Sequence, residues 1–291
     1  MKTFLVPVDG SAGANSALAL ALNLARPRGA ELLIVHAINI VAVCAESVTP
    51  YGGDPTAALN ILQADEREIL DEALARVRKA GIPATTVSLK GNIAEQIVSL
   101  SQERHAEAIV MGTHGRRGVE RLVAGSVAEG VLRTATVPVF VINEEFTPAA
   151  GRAPFHRIFI AADGSAPATA AAHFAIDLAA TDSARIIFCH VVGEKENAPV
   201  SFEVAQRLAA GLHVESATLT VHGNDTAEVI IASAEASGAD LIALGTHGRR
   251  GLDRFVLGSV AEGVIRNSPI PVVVVRSGEH VSGRPASSSH N

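Results

Sequence analysis

Gly112-Thr-His-Gly-Arg-Arg-Gly-Val-Glu-Arg-Leu-Val-Ala-Gly-Ser126 occurs twice in this chain, returning as Gly245-Thr-His-Gly-Arg-Arg-Gly-Leu-Asp-Arg-Phe-Val-Leu-Gly-Ser259. Extended through the apolar run behind each copy, residues 112–142 and 245–275 agree at 20 of 31 positions. Self-similarity of that density marks a duplication, so what one copy does is expected of the other. Each copy follows a short apolar run (Ala108-Ile-Val-Met111; Leu241-Ile-Ala-Leu244) of a length that suits a buried strand. Behind each loop, Ser126 and Ser259 read as helix N-caps, with Glu129 and Glu262 in capping-box spacing. Pro138-Val-Phe-Val-Ile142 and Pro271-Val-Val-Val-Val275 then read as strands, each headed by a proline that costs no ladder bond at a first position.

Outward from the loops the same order of elements appears in both halves. In the first, strands are expected over 3–8, 31–37 and 85–89. Helices are expected from the Asp9-Gly-Ser11 turn to about residue 25, over 56–80 and over 93–104, with a loop at 39–55. In the second, strands fall over 156–162, 185–192, 213–221 and 240–244. The helices there run from Asp163-Gly-Ser165 to about 180, over 200–210 and over 225–237. Strands alternating with helices of these lengths specify βαβ units and parallel sheets. The fold class is therefore α/β: two fused Rossmann-like, flavodoxin-like domains over 1–145 and 154–277, with a linker at 146–153 and a disordered tail at 278–291. The interval from Asp9 to Gly112 exceeds that from Asp163 to Gly245 by about 21 residues, assigned to 39–60 and the longer helix behind them.

Composition narrows the function. At 291 residues with 48% hydrophobic content, each half can bury a core, and with no Trp and one Tyr those cores are built of Val, Ile, Leu and Ala. The net charge of −6 divides as −3 on either side of residue 150. Neither half has the basic excess that a phosphate backbone requires, which argues against nucleic acid. No apolar run reaches the roughly 18 residues of a membrane span, and the opening residues read as a strand rather than a signal peptide. Cys44 and Cys189 do not sit at equivalent places and suggest neither a metal site nor a disulfide; Cys189 reads as a small buried apolar residue. A cytoplasmic location is expected.

The loop chemistry suits an anion. Gly112, Gly115 and Gly118, with Gly245, Gly248 and Gly251, let backbone N–H groups approach a ligand. Gly125-Ser126 and Gly258-Ser259 open helices whose unpaired N–H groups and positive dipole ends favour phosphate. Arg116, Arg117, Arg249 and Arg250 add positive charge or simply face water. A tight turn with no ligand is the plain alternative, weakened because each loop is accompanied by an Asp-Gly-Ser after the first strand. The loop is neither a Walker A sequence nor the dinucleotide fingerprint, which follows a first strand.

The spacing Gly-x2-Gly-x9-Gly-Ser, met by Gly112, Gly115, Gly125 and Ser126 and again by Gly245, Gly248, Gly258 and Ser259, resembles the ATP-binding signature of universal stress proteins. Val6-Pro-Val-Asp-Gly-Ser11, Ile160-Ala-Ala-Asp-Gly-Ser165, Val35-His-Ala37 and Cys189-His-Val191 resemble that family's first two strand ends. The likeness spans about residues 2–276 and corresponds to a tandem member of the ATP-binding branch. It implies a five-stranded parallel sheet of order 3-2-1-4-5 in each half, helices on both faces, and the fifth strands paired inside the chain. It further implies ATP with Mg or Mn held through its phosphates. Pro7, Asp9, Ala37, Met111, Gly112, Gly115, Gly125, Ser126 and Val127 would form the first site. Asp163, Val191, Leu244, Gly245, Gly248, Gly258, Ser259 and Val260 would form the second, where Ala161 replaces Pro7. A homodimer and an unidentified protein partner are also implied.

Other polar residues have local readings. His114 and His247 read as loop residues facing solvent or capping the fourth strand, with a pH-sensitive phosphate contact as the alternative. His36 and His190 are expected to make structural hydrogen bonds. Asp9 and Asp163 serve either as N-caps or toward a ribose. No Ser/His/Asp, Cys/His or paired-carboxylate set can be assembled, so binding is favoured over catalysis. The rivals are a slow ATPase or nucleotidyl-group transferase and a purely structural stress protein.

Overall fold

Parallel strands dominate the computed structural model, which describes residues 1–38, 55–113, 125–143, 146, 154–192, 200–248 and 257–277, with backbone alone over 55–59. The first half runs β1 (Thr3–Pro7), α1 (Ala12–Arg28), β2 (Glu31–Ile38), α2 (Pro55–Lys79), β3 (Ala84–Lys90), α3 (Ile93–Glu103), β4 (Ala108–Gly112), α4 (Ser126–Thr134) and β5 (Val139–Ile142). The second runs β6 (Arg157–Ala161), α5 (Ala166–Asp182), β7 (Arg185–Val192), α6 (Glu203–Gly211), β8 (Ser216–His222), α7 (Thr226–Ala236), β9 (Leu241–Gly245), α8 (Ser259–Asn267) and β10 (Val272–Val275). The loop at 39–54, the linker beyond Phe146 and the tail at 278–291 lie outside the described residues, as does Cys44.

All ten strands form one sheet in the order β3-β2-β1-β4-β5-β10-β9-β6-β7-β8. Within each half the pairing is parallel and the local order is 3-2-1-4-5. The halves meet where β5 and β10 pair antiparallel, Phe140 opposite Val273. These fifth strands are uncharged and β-branched or aromatic, and would be open edges on their own; pairing them closes both. The core has two layers, one per face of the sheet, and each layer runs through both halves. At the seam Phe140 stacks on Phe155 and meets Phe174 edge-on, and a second pair, Phe188 on Phe202, stacks within the second half.

Two local expectations change. First, α1 continues past residue 25 through Pro27 to Arg28. Proline in a last turn forfeits one ladder bond, and the helix end is secured beyond it: Gly29 N–H donates to Arg26 O and Ala30 N–H to Ala25 O, with Gly29 at φ 56°. Second, Ser126 and Ser259 are the first helical residues of α4 and α8; the N-caps are Gly125 and Gly258, which carry no capping side chain. Glu129 and Glu262 form ion pairs with Arg133 and Arg266 one turn on instead of closing a capping box. The longer helix expected in the first half is present: α2 has 25 residues against 9 for α6.

Candidate functional site

Strand order reverses between β1 and β4 and again between β6 and β9, because crossovers on the two sides leave in opposite directions. A crevice at the carboxyl ends of the strands follows from that topology. The sequence places Asp9, Gly112, Asp163 and Gly245 there.

Each aspartate sits in a tight turn after its strand. Asp9 Oδ1 accepts Ser11 N–H at 3.0 Å, and Asp163 Oδ1 accepts Ser165 N–H at 3.0 Å. The helix caps are the serines: Ser11 Oγ accepts Ala14 N–H at 3.2 Å and Ser165 Oγ accepts Ala168 N–H at 3.3 Å. The N-cap alternative for Asp9 and Asp163 is thereby corrected; serine at the third place of the turn reaches the helix N–H that the aspartate, two residues earlier, does not. Gly10 and Gly164 hold φ near 77° and 79°, a region that explains glycine between Asp and Ser. Behind each turn a histidine fixes the chain, His36 Nδ1 2.7 Å from Val8 O and His190 Nδ1 3.2 Å from Ala162 O. A carbonyl partner requires Nδ1 to carry the proton. Both match the structural role expected of them.

The glycine loops leave and return through a narrow neck. Thr113 N–H donates to Ile142 O (2.9 Å), and Thr113 O accepts Gly125 N–H (2.8 Å). Thr246 repeats this with Val275 O (3.1 Å) and Gly258 N–H (2.7 Å). Both threonines are buried. Sequence reasoning passed over them, although their presence in both copies was the available signal. At the neck, a Cβ on Gly112 would lie 2.7 Å from Gly13 C, and one on Gly245 2.7 Å from Ala168 N and Pro167 C. These two glycines let the fourth strand touch the first helix, a packing reason beside the ligand reason offered from sequence. A Cβ on Gly258 would approach His247 Cα to 3.1 Å, so this glycine also serves the neck.

Past the neck, Gly248 is exposed and faces the aspartate, since a Cβ there would stand 2.6 Å from Asp163 Oδ2. The structure thus brings together Asp163 and the loop glycine that the sequence had paired only by repeat logic. His247 is half-buried; its Nδ1 lies 2.9 Å from Thr246 Oγ1 and its carbonyl 3.5 Å from Ser165 Oγ, a role within the loop base. Gly115, Gly118 and Gly251, with His114, Arg116, Arg117, Arg249 and Arg250, lie outside the described residues.

Ser126 and Ser259 are exposed at the starts of α4 and α8, with Val127 half-buried and Val260 exposed. Since Gly125 and Gly258 bring no capping oxygen, no described side chain caps the first-turn N–H groups of either helix. Pro7, Ala37, Ala161 and Val191 are half-buried at the strand ends, while Met111 and Leu244 are buried beneath them. Each mouth therefore combines an aliphatic floor, one aspartate and a bare helix N-terminus. Cys189, next to Val191's neighbour His190, is buried and its thiol is pushed up to about 12 by desolvation, which keeps it a neutral apolar filler. Among the described residues no three His, Cys, Asp or Glu converge to hold a metal ion, and no helix is long and apolar enough to cross a membrane.

The universal stress protein family matches this sequence twice, over residues 1–143 and 154–276. A universal stress protein of Mycobacterium tuberculosis is 27% identical over 296 aligned residues, covering 94% of this chain and 96% of the relative. One from Methanocaldococcus jannaschii is 34% identical over 143 residues, covering 49% of this chain and 82% of the relative. The crystal structure of a universal stress protein from Archaeoglobus fulgidus superposes with a TM-score of 0.76 at 25% identity, covering 95% of this chain and 97% of that one.

Proposed function

This chain belongs to the universal stress protein family, and from that premise we propose that it is a cytoplasmic regulator that binds ATP in up to two sites and alters its partner contacts with occupancy. The observation that carries the reading is the start of α4 and α8. Each opens on a glycine with no capping side chain, so the N–H groups and dipole of the first turn are left for an anion. A second feature supports it in the second half: the space beside Asp163 Oδ2 is one that a Cβ at Gly248 would fill. A triphosphate fits such a cradle, with Ser126 or Ser259 adding a hydroxyl at the helix start. Asp9 and Asp163, whose Oδ1 atoms are bound to the turn, are assigned to the ribose. The aliphatic surface of Ala37 or Val191 receives the base. A divalent cation, Mg or Mn, is assigned to the phosphates, whose charge it neutralises.

Among the described residues of the mouths the carboxylates are Asp9 and Asp163, and each Oδ1 is taken up by its own turn, which supports retention over turnover. Two copies of the chain are proposed to associate as a homodimer besides the internal pairing of β5 with β10. The test is direct. Heat-denature the purified protein, chromatograph the supernatant, and then follow added ATP for hours. ATP recovered intact fits the regulator; steady ADP production identifies an enzyme instead. Absence of nucleotide, with no binding by calorimetry, overturns the reading in favour of a structural protein.

A further inference from the structure

The two halves exchange helix caps. Arg276, the first residue past β10, reaches the far end of α4, where Nε donates to Ala135 O at 3.2 Å and Nη2 to Leu132 O at 3.4 Å and to Arg133 O. Asn143, at the same place past β5, donates Nδ2 to Ser268 O at 2.9 Å, the C-cap of α8. Each helix that opens at one half's mouth is thus closed by the other half's last strand. The two closures are unequal. Asn143 is neutral and serves one carbonyl; Arg276 carries a charge and serves three. Terminal carbonyls hold the negative end of the helix dipole, where a cation is the favoured partner. Burial against α4 draws the Arg276 pKa below the usual arginine value, yet a guanidinium remains charged at neutral pH. Arg276 also follows Val275, whose carbonyl holds Thr246 N–H at the neck of the second loop.

We propose that Arg276 is a positioning residue for the nucleotide site of the first half, acting from the second half through α4. It touches no ligand; the nine residues of α4 put the helix start about 13 Å away. By fixing the last turn and neutralising its dipole end, it holds the first-turn N–H groups at Ser126 and Val127 in place for an anion. Among the described residues the second site has only the neutral Asn143 in that role, so the first site is the one that depends on a charge from across the seam. This assignment rests on the nucleotide reading of the mouths.

Two independent measurements test it in the full-length chain. In a Gly248→Val background, which leaves the first site, Arg276→Gln weakens ATP binding about fivefold and Arg276→Lys restores most of it. In a Gly115→Val background, which leaves the second site, Arg276→Gln changes affinity by less than about twofold. Equal losses in both backgrounds, or no loss in the first, overturn the proposal. Amide hydrogen exchange on nucleotide-free protein reads the clamp without ATP: Arg276→Gln speeds exchange over residues 131–135 and leaves 264–268 as they were. Unchanged exchange over 131–135 overturns it as well. If the unsubstituted chain binds no ATP, the nucleotide reading falls and the positioning role with it. Faster exchange then marks Arg276 as a clamp for stability alone.

Discussion

Arg28 and Asp182 occupy the same place in the two halves, the last residue of the 17-residue helices α1 and α5, and they face each other across the seam. Nη1 stands 3.0 Å from Oδ1, with side chains 4% and 0% exposed. Arg28 also donates to backbone carbonyls, Leu24 O from Nη1 and Leu178 O from Nη2, so it ties together a helix–helix junction as well as pairing with Asp182. In a dimer of identical chains the residue at this position would meet its own copy, and either charge would repel itself. Fusing the halves removes that constraint. Along the glycine loops the two copies largely agree in sequence; at this junction, where the halves touch, they have diverged into a complementary pair. Arg276 and Asn143 show the same divergence.

The largest effect should come from breaking the seam pair. Asp182→Ala strands the Arg28 guanidinium among buried neighbours, and the expected loss is about 3–5 kcal/mol in urea unfolding. An Arg28→Met/Asp182→Leu double variant should recover most of it, because both charges then leave the interior together. Desolvation dominates at Asp182 and raises its pKa despite the arginine, which fits a pair that specifies contact more than it stabilises. If the single variant melts like the unsubstituted protein, the seam pair is not what orders the two halves.

Next come the strand–helix contacts at the mouths. Gly245→Ala should cost about 3 kcal/mol and Gly112→Ala about 2 kcal/mol in thermal unfolding. The order follows from what a Cβ meets, three atoms of Pro167 and Ala168 at 2.7 Å in the second half against one at 2.7 Å and two at 3.0 Å in the first. A reversed order would mean that Pro167 yields more readily than the Gly13 backbone.

A smaller effect distinguishes Cys189 from its counterpart Val35. With the folded thiol near pKa 12 against 9.0 when exposed, the folded state prefers the neutral form. Its contribution is complete below pH 9 and is lost as pH rises toward 12, about 1.4 kcal/mol by pH 10. Cys189→Val, which gives the second half the first half's residue, should flatten that alkaline decline in urea midpoints measured from pH 8 to 11. Identical slopes for the two proteins would contradict the burial argument. Smallest of all, Asn143→Ala removes the hydrogen bond to Ser268 O and the one that Oδ1 accepts from Phe146 N–H, and should cost about 1 kcal/mol of thermal stability.

Most of the architecture was legible because its signals are local. Apolar runs of strand length, helices between them and the doubled loop gave the elements, and the resemblance to universal stress proteins gave the strand order now seen in both halves. The cap of α4 was misread because Gly125 and Ser126 are both acceptable N-caps, and only the extended conformation at Gly125 decides between them. The end of α1 was placed early because Pro27 looks like a stop, whereas the helix closes on Gly29. The neck threonines and the Arg28–Asp182 and Arg276–α4 contacts join residues far apart in sequence, and no periodicity announces a partner at such a distance. Asp163 and Gly248 were the exception, since the repeat had already tied each aspartate to a loop.

The central claim is that main-chain N–H groups at a bare helix start, in both halves, hold the phosphates of ATP. Calorimetric titration of ATP with Mg²⁺ into nucleotide-free protein, unsubstituted and as Gly115→Val/Gly248→Val, tests it most directly. The account predicts binding to the unsubstituted chain and none to the double variant, whose circular dichroism and melting remain those of a folded protein. A double variant that binds ATP as the unsubstituted chain does would contradict it.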